Sequence, residues 1–106
     1  MKLKGNVRLR GLRPEMLMGH WCVQTVFADR DYRCVVTSAN DSGHGHGSLH
    51  FGGSALDYRM KHVALGDKGT IVAAVKEALT NEFDVLFEGE GTANEHLHVE
   101  YQPKSA

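Results

Sequence analysis

The pattern that most constrains the fold lies near the C-terminus, where polar and apolar residues alternate from position 96 to 101. This two-residue period is typical of a strand with one face on a core. Leu97 and Val99 are expected to face the core, and His96, His98 and Glu100 to share the opposite side. The segment therefore predicts both a strand and a row of polar side chains along it.

A second strand and a helix are predicted just before this segment. Phe83–Phe87 is rich in β-forming residues, and the glycine-containing stretch Glu88–Asn94 that follows predicts a hairpin. The helix is predicted over Lys68–Thr80. Its apolar face has helical spacing and consists of Ile71, Ala74, Val75, Ala78 and Leu79.

The first half of the chain predicts one helix and two strands. The helix begins at Pro14 and Glu15 and ends near Asp29, because proline and an acidic residue are both favoured in a first turn. It is expected to be mostly buried along a stripe of Leu17, Trp21, Gln24 and Ala28, with Met18, Cys22 and Val26 beside it. Strands are predicted over Tyr32–Ser38 and Ser54–Met60, a loop over 39–49, and an edge strand or extended arm over 1–13.

These elements follow the order βαββαββ, which predicts an α+β fold. We expect a small antiparallel sheet of about four to five strands packed against two helices. The chain has 106 residues, enough for a single domain over 1–106 and too few for two.

Charge and composition exclude several classes of partner. The chain carries 12 basic and 13 acidic residues, so no basic excess indicates nucleic acid or an anionic membrane as partner. No apolar run reaches the length of a signal peptide or a membrane span. Two cysteines are too few for a disulfide framework. We therefore expect a cytoplasmic location, from which the protein could be released at lysis or by assembly into a virion. The sequence does not indicate an oligomeric state.

Seven histidines stand out more than the charge does. His50 and Asp57 lie seven residues apart, and Glu95 stands shortly before His98. One carboxylate with two or three imidazoles is a typical zinc ligand set, and a spare glutamate suits zinc-assisted hydrolysis. If the strand of Asp57 lies beside the last strand, His50, Asp57 and His98 can converge on one ion and leave a fourth position open.

The same residues resemble a known family. Ser48-x-His50-x-x-Gly53-x-Ala55-x-Asp57 matches every fixed position of SxHxxGxAxD, the signature of the hedgehog/D-Ala-D-Ala peptidase superfamily. Val36-Thr37-Ser38 and Glu95-x-x-His98 are also similar to that family, and the likeness covers roughly residues 33–101. It implies a hedgehog/DD-peptidase-like fold, most like the compact, phage-type members.

The resemblance also implies a role for each site residue. His50, Asp57 and His98 would bind Zn²⁺, and Glu95 would be the general base that activates the attacking water. His96 would hold the substrate or stabilise the oxyanion. Further residues expected to bind substrate or support the site are Ser48, Ser38 and Arg59.

Two departures bear on catalysis. Members of the family often carry an arginine soon after the Thr-Ser segment, where this chain has Ala39, Asn40 and Asp41. Arg59, Arg33 or a loop histidine are the alternatives for its role. In a regular strand Glu95 would also face away from His98, so the base requires a bend at Asn94-Glu95; Glu88 or Glu90 are the alternatives.

The function expected from these features is that of a zinc metallopeptidase. The resemblance implies that such a hydrolase would cut peptidoglycan-type cell-wall peptides that contain D-amino acids, as a D,D- or L,D-carboxypeptidase or an endopeptidase. The alternative is a zinc-binding, catalytically inactive domain with a structural or binding role, which the missing arginine favours. His44 and His46 belong either to a solvent loop or to a lid over the zinc.

Overall fold

The computed structural model describes residues 2–3, 11–39 and 54–102. In chain order the elements are β1 (Lys2–Leu3), α1 (Pro14–Ala28), β2 (Val35–Ser38), β3 (Ala55–Arg59), α2 (Leu65–Ala78), β4 (Phe83–Glu88) and β5 (His96–Tyr101). The α+β class and the predicted element order are confirmed. Neither helix in the described ranges is long and apolar enough to span a membrane.

The strands form one five-stranded sheet in the order β1-β2-β3-β5-β4. β1 pairs with β2 in parallel, and every other neighbouring pair is antiparallel. β3 and β5 are therefore neighbours, although α2 and β4 separate them in the chain. In their ladder Asp57 lies opposite His98, and Arg59 lies opposite His96.

Both helices cover one face of this sheet. Leu56 and Tyr58 of β3 and Leu97 and Val99 of β5 are fully buried there. They belong to one apolar cluster with residues of both helices, among them Met16, Val23, Phe27, Ile71 and Val75. The alternate residues of β3 and β5 that carry charge or imidazole are only partly buried. The predicted division of the two strands into a core side and a polar side is confirmed.

The predicted buried stripe of α1 is wrong, although Val26, expected beside it, is buried. Leu17 is 48% exposed and Trp21 is 72% exposed, whereas the buried positions are Met16, Gly19, His20, Val23, Val26 and Phe27. Apolar residues occur all round this helix, so their spacing does not select a face. On its buried face α1 packs closely against β4, since a Cβ on Gly19 would lie 2.6 Å from Cε2 of Phe83.

α2 begins at Leu65, one turn earlier than the sequence predicts. The N-cap residue, Ala64, makes no side-chain hydrogen bond to the first turn of the helix. Instead, the hydroxyl of Tyr32 accepts a hydrogen bond from the Ala64 amide at 3.1 Å and donates one to Asp67 at 2.6 Å. A distant tyrosine thus satisfies a helix end that usually depends on a local capping residue.

The predicted hairpin between β4 and β5 is present and depends on glycine. Gly89 has φ of +66°, and a Cβ there would lie 2.7 Å from the carbonyl oxygen of Asn94. Only glycine adopts this conformation readily at such a close approach. The turn therefore fixes the position of Glu95 and the point at which β5 begins, at His96.

Candidate functional site

The centre of the polar sheet face is a contact between two predicted zinc ligands. Nδ1 of His98 lies 2.7 Å from Oδ1 of Asp57, and Nε2 of the same ring lies 2.5 Å from Oε1 of Glu100. The three side chains are only 13–15% exposed. The imidazole is therefore held between two carboxylates by β3 and β5 themselves.

This arrangement determines the charge of the ring. The hydrogen bond to Asp57, with help from Glu100, raises the pKa of His98 to about 9, against the opposing effect of burial. Each ring nitrogen of His98 thus lies within hydrogen-bonding distance of a carboxylate oxygen, an arrangement that favours the protonated imidazole. A metal ion at Nδ1 would replace the proton that now lies between His98 and Asp57.

The donor chemistry of this pair fits zinc. A carboxylate oxygen and an imidazole nitrogen are both common Zn²⁺ ligands. Across the described residues no group of three or more His, Cys, Asp or Glu side chains is placed to hold a metal ion. The third predicted ligand, His50, and the predicted supporting residue Ser48 lie outside the described residues.

Beside the pair lies a cavity of about 360 Å³. It is lined by Thr37, Ser38, Asp57, Arg59, Lys61, Ala93, Asn94, Glu95 and His96. Five residues singled out from the sequence therefore meet in one place, and Asp57 connects them to His98. Their segments are far apart in the chain and are joined here by the β2-β3-β5 pairing.

Glu95 lies at the wall of this cavity, just before β5 begins. Its carboxylate accepts hydrogen bonds from the Gly91 amide at 2.9 Å and from Nζ of Lys68 at 2.6 Å. These two bonds lower the pKa of Glu95. The carboxylate is thus ionised at neutral pH but engaged with α2 and the hairpin turn, so its role as base stays a prediction.

His96 is also a wall residue of the cavity. Its Nδ1 donates to the carbonyl oxygen of Asn94 at 2.7 Å, and its Nε2 lies 3.0 Å from Oε1 of Glu88. A substrate oxygen that binds His96 must therefore replace one of these acceptors. The predicted contact with substrate remains a prediction.

Arg59 and Lys61 supply positive charge to the same cavity. Nε of Arg59 is buried and has no hydrogen-bond partner among the described residues. Arginine presents several N–H donors in a geometry that suits carboxylates. Of the alternatives named for the missing arginine, Arg59 lines both this cavity and a second one beside Tyr32 and His62, whereas Arg33 lines the second one and not this one.

Three contacts at the site were not predicted from the sequence. Alternation places Glu100 on the histidine side, but it does not indicate that Glu100 contacts His98. No local pattern connects Lys68 on α2 with Glu95, or brings Lys61 to the cavity. Such contacts depend on how the helix and the turn pack.

The chain was also compared with known proteins. No family model matches the chain, and no curated protein and no solved structure does so either.

Proposed function

We propose that this chain is a zinc-dependent metallopeptidase domain that hydrolyses peptidoglycan-type peptides containing D-amino acids. One observation carries the proposal: Asp57 and His98 touch, and Asp57 shares a cavity with Ser38, Arg59, Glu95 and His96. A zinc peptidase needs this combination of ligands, a carboxylate base and a substrate cavity. The resemblance of the two segments to the hedgehog/D-Ala-D-Ala peptidase superfamily supports the same conclusion.

In this proposal His50, Asp57 and His98 hold the zinc ion. Bound zinc supplies Lewis-acid polarisation of the scissile carbonyl and a water that ionises near neutral pH. Glu95 would be the general base that accepts a proton from the attacking water, whose oxygen forms the new bond to the scissile carbon, and it would return that proton to the leaving amine as the C–N bond breaks. Because its pKa is lowered, Glu95 is in the basic form at neutral pH, and as the base it would give up its hydrogen bond with Lys68.

Zinc content is the first test of the proposal. We expect the purified protein to carry close to one zinc ion per chain and to hydrolyse purified muropeptides. Chelation should remove both the metal and thermal stability, because a ligand at about 1,000 times its Kd stabilises the native state by about 4 kcal/mol. Untreated protein that is fully stable and contains no metal would contradict every zinc-based interpretation.

Arg59 is proposed to bind a carboxylate of the substrate. We expect Arg59→Met to lower kcat/KM on muropeptides by about 10- to 100-fold, since a hydrogen bond to a charged group contributes about 1.5–3 kcal/mol. Arg33→Met is the matched control and should leave hydrolysis unchanged. Steady-state kinetics on the two variants decide the assignment: a loss confined to Arg33→Met would give the role to Arg33.

A second candidate function has its own observation. The Glu95 carboxylate is buried and bound by Lys68 and Gly91, an arrangement that suits a structural glutamate as well as a base. The alternative is therefore a zinc-binding domain without catalysis. Wild-type protein that holds zinc but cleaves no D,D-, L,D- or L-alanyl-D-glutamyl bond would establish it.

The proposal includes the cytoplasmic location expected from the sequence. A peptidoglycan-derived peptide would then be met after lysis, in a virion, or during turnover of wall fragments inside the cell. Neither nucleic acid nor membrane is a proposed partner, in keeping with the net charge of −1.

A further inference from the structure

We propose that Glu100 is the positioning residue that holds His98 with Nδ1 directed at the metal. The inference rests on the proposed zinc site and extends it to a residue for which neither the sequence pattern nor the resemblance provides a role. A metal-binding histidine usually donates its other ring N–H to a carboxylate, which fixes the tautomer and the ring orientation. Glu100 occupies that place.

The geometry distinguishes the two nitrogens of His98. Nδ1 faces Asp57, the other proposed ligand, whereas Nε2 faces Oε1 of Glu100 at 2.5 Å. When zinc takes Nδ1, the remaining ring proton must lie on Nε2, where Glu100 accepts it. The carboxylate therefore favours the one tautomer that leaves the Nδ1 lone pair free for the metal.

Glu100 is itself held in place. Its second oxygen, Oε2, accepts a hydrogen bond from Nε2 of Gln102 at 2.7 Å. His98, Glu100 and Gln102 lie at every second position, so they follow one side of the end of β5. A carboxylate bonded at both oxygens loses little further freedom when it orients the imidazole.

The neighbouring histidine provides a natural comparison. Glu88 contacts Nε2 of His96 much as Glu100 contacts Nε2 of His98, at 3.0 Å. However, the Nδ1 of His96 faces the carbonyl oxygen of Asn94 and not a proposed ligand. The same sheet face thus contains two glutamate–histidine pairs, and only one of them includes a ligand.

The experiment measures Zn²⁺ affinity by competition with a chromophoric chelator. We expect Glu100→Ala to weaken zinc binding by about 10- to 100-fold. Glu100→Gln should lose less, because its amide oxygen can still accept the Nε2 proton. Glu88→Gln removes one negative charge from the same face and should leave zinc affinity unchanged. Circular dichroism confirms that each variant is folded.

A second readout needs no variant. In the zinc-loaded wild type, ¹H–¹⁵N correlation spectra of the imidazoles should show His98 protonated at Nε2 and metal-bound at Nδ1. The inference is overturned by the opposite tautomer, by wild-type affinity in Glu100→Ala, or by an equal loss in Glu88→Gln. A loss in Glu100→Ala as large as in Asp57→Ala would make Glu100 a ligand and also overturn the positioning role.

Failure of the inference can be told apart from failure of the proposed function. If the wild type binds zinc and only the Glu100 results disagree, the zinc site stands and the positioning role falls. If the wild type binds no zinc at all, the proposed function falls and takes this inference with it.

Discussion

Asp57→Ala should leave the protein almost free of zinc. Asp57 supplies one of the three proposed ligands, and its carboxylate already lies against the imidazole of His98. Two ligands cannot replace three, so we expect a loss of affinity well beyond the ~10- to 100-fold that follows loss of an orienting partner. The thermal stabilisation that added zinc gives the wild type should disappear in this variant.

Metal analysis and chelator competition measure this effect. Asp84→Ala is a control on the same face of the sheet, since Asp84 pairs with Glu100 in the β4–β5 ladder and is not a proposed ligand. His44→Ala and His46→Ala test the two histidines that precede His50 in the sequence and should retain zinc. Equal losses in Asp57→Ala and these two histidine variants would mean that the ligand set is wrong.

Glu95→Gln should separate metal binding from catalysis. Glutamine has nearly the same shape but cannot accept a proton, so we expect about one zinc ion per chain and a loss of hydrolysis of ~10²- to 10⁴-fold. The measurement is turnover on a panel of muropeptides with D,D-, L,D- and L-alanyl-D-glutamyl bonds, together with zinc content.

Lys68→Met is the matched control, because it breaks the same ion pair from the other side. It should still hydrolyse peptides, and the acidic limb of its kcat/KM profile should move to higher pH. The sign follows from the structure: Lys68 lowers the pKa of Glu95, so its removal raises that pKa and the base is protonated at higher pH. The Gly91 amide still binds the carboxylate, which limits the shift.

Each outcome of this pair of variants assigns a role. Equal inactivity of Glu95→Gln and Lys68→Met would show that the ion pair is structural. Full activity of Glu95→Gln would exclude Glu95 as the base and direct attention to Glu88 or Glu90.

The sequence predicted best where a local pattern has one physical cause. In β3 and β5 every second side chain enters the core, and the two-residue period is visible without any knowledge of the fold. The buried Leu56 and Tyr58 and the buried Leu97 and Val99 follow from it directly. The β4–β5 hairpin could be predicted for a similar reason, because its glycines lie in the turn itself.

The sequence predicted less where residues distant in the chain determine which face of a helix is buried or where a helix begins. The buried face of α1 depends on the contact of Gly19 with Phe83 and on the hydrogen bond between His20 and Tyr58. The first turn of α2 depends on Tyr32. None of these partners lies within the helix whose orientation or start it determines, so periodicity alone could not indicate them.

In the candidate site too, some features could be predicted from the sequence and others could not. Motif spacing named Asp57, Glu95 and His98, but the register that places Asp57 opposite His98 is a property of the sheet. The partners of Glu95 come from α2 and the hairpin turn, and no spacing connects Lys68 with residue 95. The residues could therefore be named from the sequence, whereas their hydrogen-bond partners required the structure.

The outward orientation of Trp21 has a practical consequence for spectroscopy. It is the single tryptophan of the chain, and most of its side chain is already in water in the folded protein. Its fluorescence should consequently change little on unfolding. It should change strongly when a molecule binds to α1 and covers the Trp21 side chain. The fully buried Tyr58 is the better optical reporter of the core.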